Sequence, residues 1–561
     1  MSFPLILFSS LMAVKSLEKI VSIINRVYYL LVALLIISLN FIDIGFYPFV
    51  FKRLTADATG IATNGNDLAN YILPIMFDFW YLFVIGWGGF YFFMKWEKNK
   101  LFPIPFWKKW KVLYYIPIIP VFILGARGGW QLKPITLIDA SLGVPPENAT
   151  LVLNTPFTFF TTLYAGSEPE LDVMDSKKAE AIFSMEKIIK PRKRSRKTNV
   201  VVLIMESFAK EYLEEGYMPF LDSLKNEGLY FTNAMANGKR SIDAVPAILA
   251  SIPDLQSSSF IYSSYASNTV NSLPSVLKAH GYKTCFFHGG RTGTMGFDKF
   301  ASLVGIEKYY GAEDYLDQSQ FDGTWGIYDE PFFQFMINEL NEVQQPFFST
   351  FFSLSSHHPY KIPNQYEEVF PKGTLPIHES IGYADFALKQ FFEAAKKQSW
   401  FSNTLFVILA DHTSISNSSY YNSSLGMFRI PLLFYSASDT TLSKINTAIA
   451  QQCDVFPSVL SYVGIEDKVK TFGRNLFQED LSGGYVLNRS SGIYYLYDDE
   501  KVFATTMDQQ KGYFNLNDSL KTVNLLDSIN NMDSIMNQVK SRYQVYKDEF
   551  SRNQYFVAPV N

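Results

Sequence analysis

The sequence predicts an N-terminal α-helical transmembrane region, then an α/β domain, then a small C-terminal α+β subdomain. Apolar, aromatic runs of spanning length crowd the first 130 residues. From residue 199, short β-branched or aromatic runs alternate with helical stretches, and after residue 484 short strands precede one long helix. The expected boundaries are 1–130 for the membrane region, 131–198 for an interfacial and linker segment, 199–483 for the α/β domain and 484–561 for the subdomain. A chain of 561 residues is too long for one ordinary domain. Its formal net charge of -4 is too small to point to nucleic acid or another polyanion as partner. Two cysteines cannot build a structural zinc cluster, and Cys285 and Cys453 read as reduced, buried thiols.

Val27 to Phe46 matches the ~20 residues that cross a hydrocarbon core, with Asn40 and Asp43 toward one end. Tyr71 to Met94 reads as a second span and the shorter, proline-containing Val112 to Ala126 as a third, flanked by Trp107, Trp110 and Trp130. Phe3 to Val14 is too short to span and reads as interfacial or as the remnant of a longer membrane region. Lysines and arginines concentrate before the first span and between the second and third, whereas only Lys52 and Arg53 lie between the first two. The positive-inside rule then places everything after Arg127 outside the cytoplasm. Leu153 to Phe160 is expected as an interfacial helix. Lys187 to Lys197 gathers seven cations in eleven residues, which suits a solvated linker or a patch held against anionic lipid.

Beyond that boundary the expected elements are Val200–Met205, Met218–Glu227, Ser241–Ser251, Leu273–Gly281, Thr284–Phe287, Phe347–Leu354, Tyr383–Lys397, Leu405–Ala410 and Ile430–Tyr435. Their alternation argues a mixed or parallel sheet covered on both faces. The C-terminal unit is expected to hold a small antiparallel sheet (residues 485–487, 493–497 and 502–506) and a helix over Val523–Phe550 with a stripe of Leu525, Ile529, Met532, Ile535, Met536 and Val539. The run Val200–Met205 ends directly in Glu206, and Leu405–Ala410 ends in Asp411–His412. Strand ends of a parallel sheet are where α/β proteins place their chemistry. Between these runs, Gly238-Lys-Arg-Ser241 sets a turn, two cations and a hydroxyl just before a helical stretch. Two carboxylates, one imidazole and one hydroxyl suit a divalent metal with its own nucleophile, and Ser241, expected at the N-cap position before a helix over Ile242–Leu249, suits phosphoryl oxygens. Ser241 as a plain helix cap and Glu206 as a surface carboxylate are the readings to set against this.

Seven strings follow in order: Ile204-Met-Glu-Ser-Phe208, Asn237-Gly-Lys-Arg-Ser-Ile-Asp243, Phe287-His-Gly289, Met295-Gly-Phe-Asp298, Trp325-Gly-Ile-Tyr-Asp329, Ser355-Ser-His-His-Pro-Tyr360 and Ala410-Asp-His-Thr413. Through them residues 200 to 440 resemble the lipoteichoic-acid-synthase-like phosphoglycerol transferases of the alkaline phosphatase/sulfatase superfamily. The resemblance implies an alkaline-phosphatase/sulfatase-like α/β catalytic domain outside the cytoplasm, anchored in the cell membrane by several spans. The three spans expected here are fewer than the family carries, as in a membrane part that is short or truncated at its front.

The resemblance further implies metal ligands Glu206, Ser241, Asp411 and His412. Ser241 stands in the place of the nucleophilic threonine, and His288 and His357 in those of substrate-contacting histidines. His358, Arg240 and Arg291 are expected near the substrate, with Asp243 orienting either Arg240 or the acceptor, and His280 and His378 are left as structural. The implied cofactor is one divalent metal, Mn²⁺ first, with Mg²⁺ and Zn²⁺ open. The implied partners are a phosphatidylglycerol-type lipid donor, a glycan or glycolipid acceptor and the membrane. Where Gram-positive synthases place a tryptophan and an arginine, this sequence has Met295 and Phe297, which leaves the headgroup open to phosphoethanolamine or another phospho-alcohol. A formylglycine-type sulfatase needs Cys or Ser in a C/S-x-P-x-R frame, and Ser241 is followed by Ile-Asp-Ala-Val with Pro246 out of register. A phosphodiesterase-type hydrolase and a catalytically inactive envelope-binding protein are the other classes to weigh.

Overall fold

The computed structural model describes residues 18–50, 52–56, 80–97, 120–131, 133–145, 148–164, 172–192, 197–516, 518, 523–528 and 532–557. The chain divides into two compact units, one of residues 1–140 and 150–170, the other of 141–149 and 171–561.

In the first unit, helix Glu18–Val50 contains Arg26–Tyr47, the one helix among the described residues long and apolar enough to cross a membrane. Its two polar interruptions are accommodated locally. Asn40 donates to the Ile36 carbonyl within the helix (2.8 Å), and Asp43 is buried against Arg53 Nη1 (2.8 Å) and Leu54 N (2.6 Å). Arg53, expected as a loop cation, is thus the neutralising partner of Asp43 toward the end of this apolar helix, the arrangement that makes a buried carboxylate tolerable. Helix Trp80–Glu97 covers the C-terminal part of the second expected span but is not long and apolar enough to count as a span. The N-terminal part of that span, most of the third and the Phe3–Val14 segment lie outside the described residues. Helix Thr155–Tyr164 belongs to this unit, where Thr162 Oγ1 accepts from Ala56 N (2.8 Å).

The second unit is an α/β domain. Its strands in chain order are β1 (Glu186–Ile189), β2 (Asn199–Met205), β3 (Leu229–Met235), β4 (Lys283–His288), β5 (Lys308–Tyr310), β6 (Phe347–Phe352), β7 (Thr404–Ala410), β8 (Leu432–Tyr435), β9 (Lys444–Gln451), β10 (Asp467–Lys470), β11 (Val486–Ser490), β12 (Ile493–Tyr497), β13 (Lys501–Thr505) and β14 (Gln510–Asn515). Eight form the main sheet in the order β5-β4-β6-β2-β7-β8-β3-β9. Only β8 runs against its neighbours. Central β2, β6 and β7 are buried along their whole length, as continuous apolar runs in a sheet covered on both faces must be. Helices Asp329–Glu342 and His378–Ala395 pack together on one face, where Phe333 stacks on Phe351 with centroids 3.8 Å apart.

β3 and β9 were not among the expected strands, and each has a reason for its weak signal. In β3 the apolar run is cut by Asn233 at a register shift, its side chain bonded to Thr447 O and Arg429. β9 is a polar edge strand opening on Lys444, a composition that blunts edge pairing. The cationic stretch is only partly a linker. Lys187 lies in β1, paired antiparallel with β10, and donates Nζ to Gly473 O, and Arg192 pairs with Asp439. Lys193, Arg194 and Arg196 lie outside the described residues. The C-terminal sheet is a four-stranded meander β11–β14, one strand more than expected. Its helix spans Met532–Ser551 rather than starting near Val523, and it buries Val539, Val545, Tyr546 and Phe550, so the packed stripe runs from Val539 toward its C-terminal end. Cys285 and Cys453 are buried and free.

Candidate metal-assisted active site

β2 and β7 run side by side in parallel with Met205 opposite Ala410, so the next residues, Glu206 and Asp411, leave the sheet together at one edge. Both are buried. The Glu206 backbone and the Asp411 carboxylate are fixed by hydroxyl and amide partners. Glu206 N donates to Ser353 Oγ (2.7 Å), Ser356 Oγ donates to Glu206 O (2.5 Å), and Asp411 Oδ1 accepts from Ser207 N (2.7 Å) and His412 N (2.6 Å). Ser207 adopts φ +59, a left-handed conformation that costs a non-glycine residue about 1–2 kcal/mol. The bend turns its amide onto Asp411 and its hydroxyl onto Glu206 Oε1 (2.8 Å).

Ser241 is the first residue of helix Ser241–Ala250, with Arg240 at the cap position. Its hydroxyl therefore does not serve as the expected cap. It donates instead to Glu206 Oε2 (3.0 Å) and lies 3.2 Å from His412 Nε2. Pro246 inside this helix cannot donate to the Ile242 carbonyl, and Ser259 Oγ does so (3.3 Å). His412 Nδ1 faces Thr413 O at 2.7 Å, which fixes that nitrogen as the proton carrier and turns Nε2 toward the carboxylates. Nε2 is 3.2 Å from Asp411 Oδ2 and 3.7 Å from Glu206 Oε1.

One ligand atom from each of Glu206, Asp411 and His412 falls within a common 4.8 Å cluster. Asp411 Oδ2 makes no hydrogen bond among the described residues; it faces Glu206, and His412 Nε2, 3.2 Å away, donates to it only when the imidazole is protonated. Burial and then the Glu206 charge push the Asp411 carboxyl up. Burial opposes ionisation of Glu206 too, but His412 and His357 hold it below the usual carboxylate range. Burial also works against a charged His412, yet Asp411 and Glu206 raise its pKa. A buried pair of facing carboxylates with an imidazole aimed between them is a donor set that a divalent cation satisfies.

His288 ends β4 and is buried, Nδ1 donating to Phe352 O (3.1 Å), which leaves the Nε2 lone pair open. Burial drives its pKa down to about 4, so it is neutral at physiological pH. Phe297, at the position where the arginine of the resembling synthases stands, packs on the His288 ring (5.4 Å) and Phe352 (5.0 Å). Gly290 is required here, because a Cβ would lie 2.5 Å from His288 Nε2. His357 acts on the charge of both Glu206 and His288, and its ring meets Trp325 at 4.3 Å. His358 is exposed, and its carbonyl accepts from Trp325 Nε1 (2.5 Å). Arg240 makes a two-pronged contact with Asp243 (2.7 and 2.9 Å), the pairing expected of it, and approaches Asp254 (3.5 Å). Arg291 is exposed over the Phe321 ring (5.5 Å). His378 is buried against Tyr217 and accepts from Thr374 N and Leu375 N, a structural placement.

The sequence also held a residue that its pattern did not single out. Lys239, two before Ser241, reaches Thr413 Oγ1 (2.6 Å) and Met427 O (2.8 Å), and burial lowers its pKa to about 8. Its charge reaches His412, where it opposes protonation. The available signal was a lysine between a glycine turn and the candidate nucleophile, which read as one of two turn cations.

Residues 198–465 match the Sulfatase family. Lipoteichoic acid synthase 2 of Bacillus subtilis is 28% identical over 301 residues, covering 48% of this chain and 45% of the relative. Lipoteichoic acid synthase of Staphylococcus aureus is 27% identical over 313 residues, covering 51% and 48%. Residues 198–465 thus form a sulfatase-type domain, and through it the chain is similar to lipoteichoic acid synthases. It spans about half the length of the curated relatives it matches. A solved protein of the alkaline phosphatase superfamily from Vibrio parahaemolyticus shares the fold of this sulfatase domain, with a TM-score of 0.62 at 22% identity over 69% of this chain and 98% of that one. The lipoteichoic acid synthase LtaP from Listeria monocytogenes does so with a TM-score of 0.55 at 20% identity over 68% and 99%.

Proposed function

We propose that the protein is a membrane-anchored, metal-dependent phosphoryl-alcohol transferase, acting outside the cytoplasm on a phosphatidylglycerol-type lipid through a phospho-Ser241 intermediate. The observation that carries this reading is the Ser241 hydroxyl held 3.0 Å from Glu206 and 3.2 Å from His412 at the edge of the sheet. Similarity to curated lipoteichoic acid synthases supports the class of reaction.

Glu206, Asp411, His412 and Ser241 would hold one divalent cation, Mn²⁺ by this mixed oxygen and imidazole donor set, with Mg²⁺ or Zn²⁺ as substitutes. Such a cation lowers the pKa of a ligated hydroxyl and offsets charge on phosphoryl oxygens. Ser241 Oγ attacks phosphorus, the bond from phosphorus to the diacylglycerol oxygen breaks, and that oxygen takes a proton. The acceptor hydroxyl of a glycan or glycolipid then attacks the phospho-serine, and Ser241 leaves. His288, neutral and with Nε2 open, would accept a hydrogen bond from a substrate hydroxyl, and His357 would contact the phosphoryl group. Lys239 supplies positive charge beside the nucleophile. Lys239→Met is expected to lower kcat/KM about 10²-fold, the scale of one lost charge-stabilising donor, as read from initial rates with the fold checked by circular dichroism.

The test of the reading is purified full-length protein in detergent with Mn²⁺ and fluorescent phosphatidylglycerol. Diacylglycerol release is expected, abolished by EDTA and restored by added Mn²⁺. Release from phosphatidylethanolamine instead would move the assignment to phosphoethanolamine transfer, and glycerol phosphate freed into water with glycolipid present would mark a hydrolase. No release from either lipid would sink it.

A further inference from the structure

We propose that Gln452 is a positioning residue of this active site, its single side-chain amide setting the separation between the loop that carries Ser241 and the strand end that carries Asp411. The proposal rests on the reading of the site given above. In the sheet, β8 lies between β7 and β3, and its pairing with β7 ends at Leu432 opposite Leu409. The chain before β8 stays with β3, through Ile430 N to Ala234 O (3.1 Å) and Ala236 N to Phe428 O (2.8 Å). At the edge where the chemistry sits, the ladder therefore does not join Asp411 to the segment leading to Ser241. Gln452 fills that gap. It follows β9 and is fully buried. Its Oε1 accepts from Asn237 N (2.8 Å), while Nε2 donates to Ala410 O (2.9 Å) and Asp411 O (2.6 Å).

The same stretch holds Asn237 from other sides. Asn237 Oδ1 accepts from Cys453 N (3.0 Å), and Nδ2 donates to Gln451 Oε1 (2.8 Å) and to Asn488 Oδ1 (3.3 Å) on β11. Gly238 follows directly, and a Cβ there would meet the Asp243 Cβ at 2.5 Å, so the turn into Ser241 has little freedom of its own. Gln452 is the one side chain in this set that bonds both arms. A planar amide with an acceptor at one corner and two donor hydrogens at the other fits three backbone partners that no shorter or purely apolar side chain can satisfy.

The test compares full-length wild type with Gln452→Met, close in length but without the amide, and Gln452→Glu, which keeps the shape and the acceptor for Asn237 N but loses the donors. Mn²⁺ affinity is read by calorimetric titration, and kcat and KM by diacylglycerol release. Folded variants are expected to lose about 10–100-fold in kcat and about 10-fold in Mn²⁺ affinity, the scale of lost support behind metal ligands, with KM within about 2-fold. If Gln452→Met does not fold, Gln452→Glu decides. A folded Gln452→Glu protein with kcat and Mn²⁺ affinity within about 2-fold of wild type overturns the proposal. Wild type that binds Mn²⁺ but releases no diacylglycerol counts against the lipid donor alone, and the ratio of Mn²⁺ affinities then decides Gln452. Wild type that does not bind Mn²⁺ overturns both.

Discussion

Purified Ser241→Ala protein is expected to form no covalent phospho-adduct with phosphatidylglycerol and to release diacylglycerol at a rate lower by about 10³-fold or more, the scale on which loss of a nucleophile acts. Intact-mass spectrometry after incubation with lipid and Mn²⁺ reads the adduct directly. The fold should survive. Ser241 opens a helix whose backbone ladder does not use its hydroxyl, and the next nine residues are buried in place. The substitution removes one hydrogen bond to Glu206, worth about 1 kcal/mol net. Loss of activity with a near-normal melting midpoint thus separates a nucleophile from a structural hydroxyl. Ser241→Thr keeps the oxygen at the residue type that the resembling synthases use, and should retain the adduct. An unchanged adduct on Ser241→Ala would assign the chemistry to another group.

The legible part of this site is the part that local pattern controls. A carboxylate directly after five or more buried apolar residues has to be a strand end, so Glu206 and Asp411–His412 are readable from the chain, and β2 and β7 end where the runs end. What placed them against each other is register, Met205 opposite Ala410, which no single run encodes. The hydroxyls of Ser207, Ser353 and Ser356 were not readable for the same reason. Each acts on a group brought to it by the sheet, and a serine after a strand looks like any loop serine until the neighbour is known. Lys239 was hidden differently. A cation in a turn ordinarily points to solvent, and only the chain at Thr413 and Met427 folding over it makes it a half-buried charge two residues before Ser241. Boundaries failed where apolar spacing continues past the packed region. The stripe from Leu525 has helical period, but the described helix begins at Met532 and packs through Val539 to Phe550.

Asp411→Asn is expected to separate function from stability in opposite directions. In the metal-free protein Asp411 Oδ2 makes no hydrogen bond, and burial together with the Glu206 charge pushes its carboxyl well above the usual range, so folding at neutral pH carries the cost of either protonating this group or burying it ionised. Asparagine keeps Oδ1 as acceptor for Ser207 N and His412 N. Its Nδ2 replaces the orphaned oxygen with a donor aimed at Glu206, turning acceptor against acceptor into a hydrogen bond. The metal-free variant should therefore melt higher than wild type, by the equivalent of about 1 kcal/mol, the ordinary gain when an active-site compromise is relieved. The same change removes one of two carboxylates and one unit of charge from the donor set. Mn²⁺ should then raise the midpoint of wild type, because a ligand that binds only the folded state stabilises it by RT ln(1 + [L]/Kd), and leave the variant unmoved. Diacylglycerol release should fall by about 10³-fold. Differential scanning calorimetry with and without Mn²⁺ reads both effects in one protein. A metal-free midpoint below that of wild type would show that the buried carboxylate is structurally satisfied, and an undiminished Mn²⁺ shift would remove Asp411 from the ligand set.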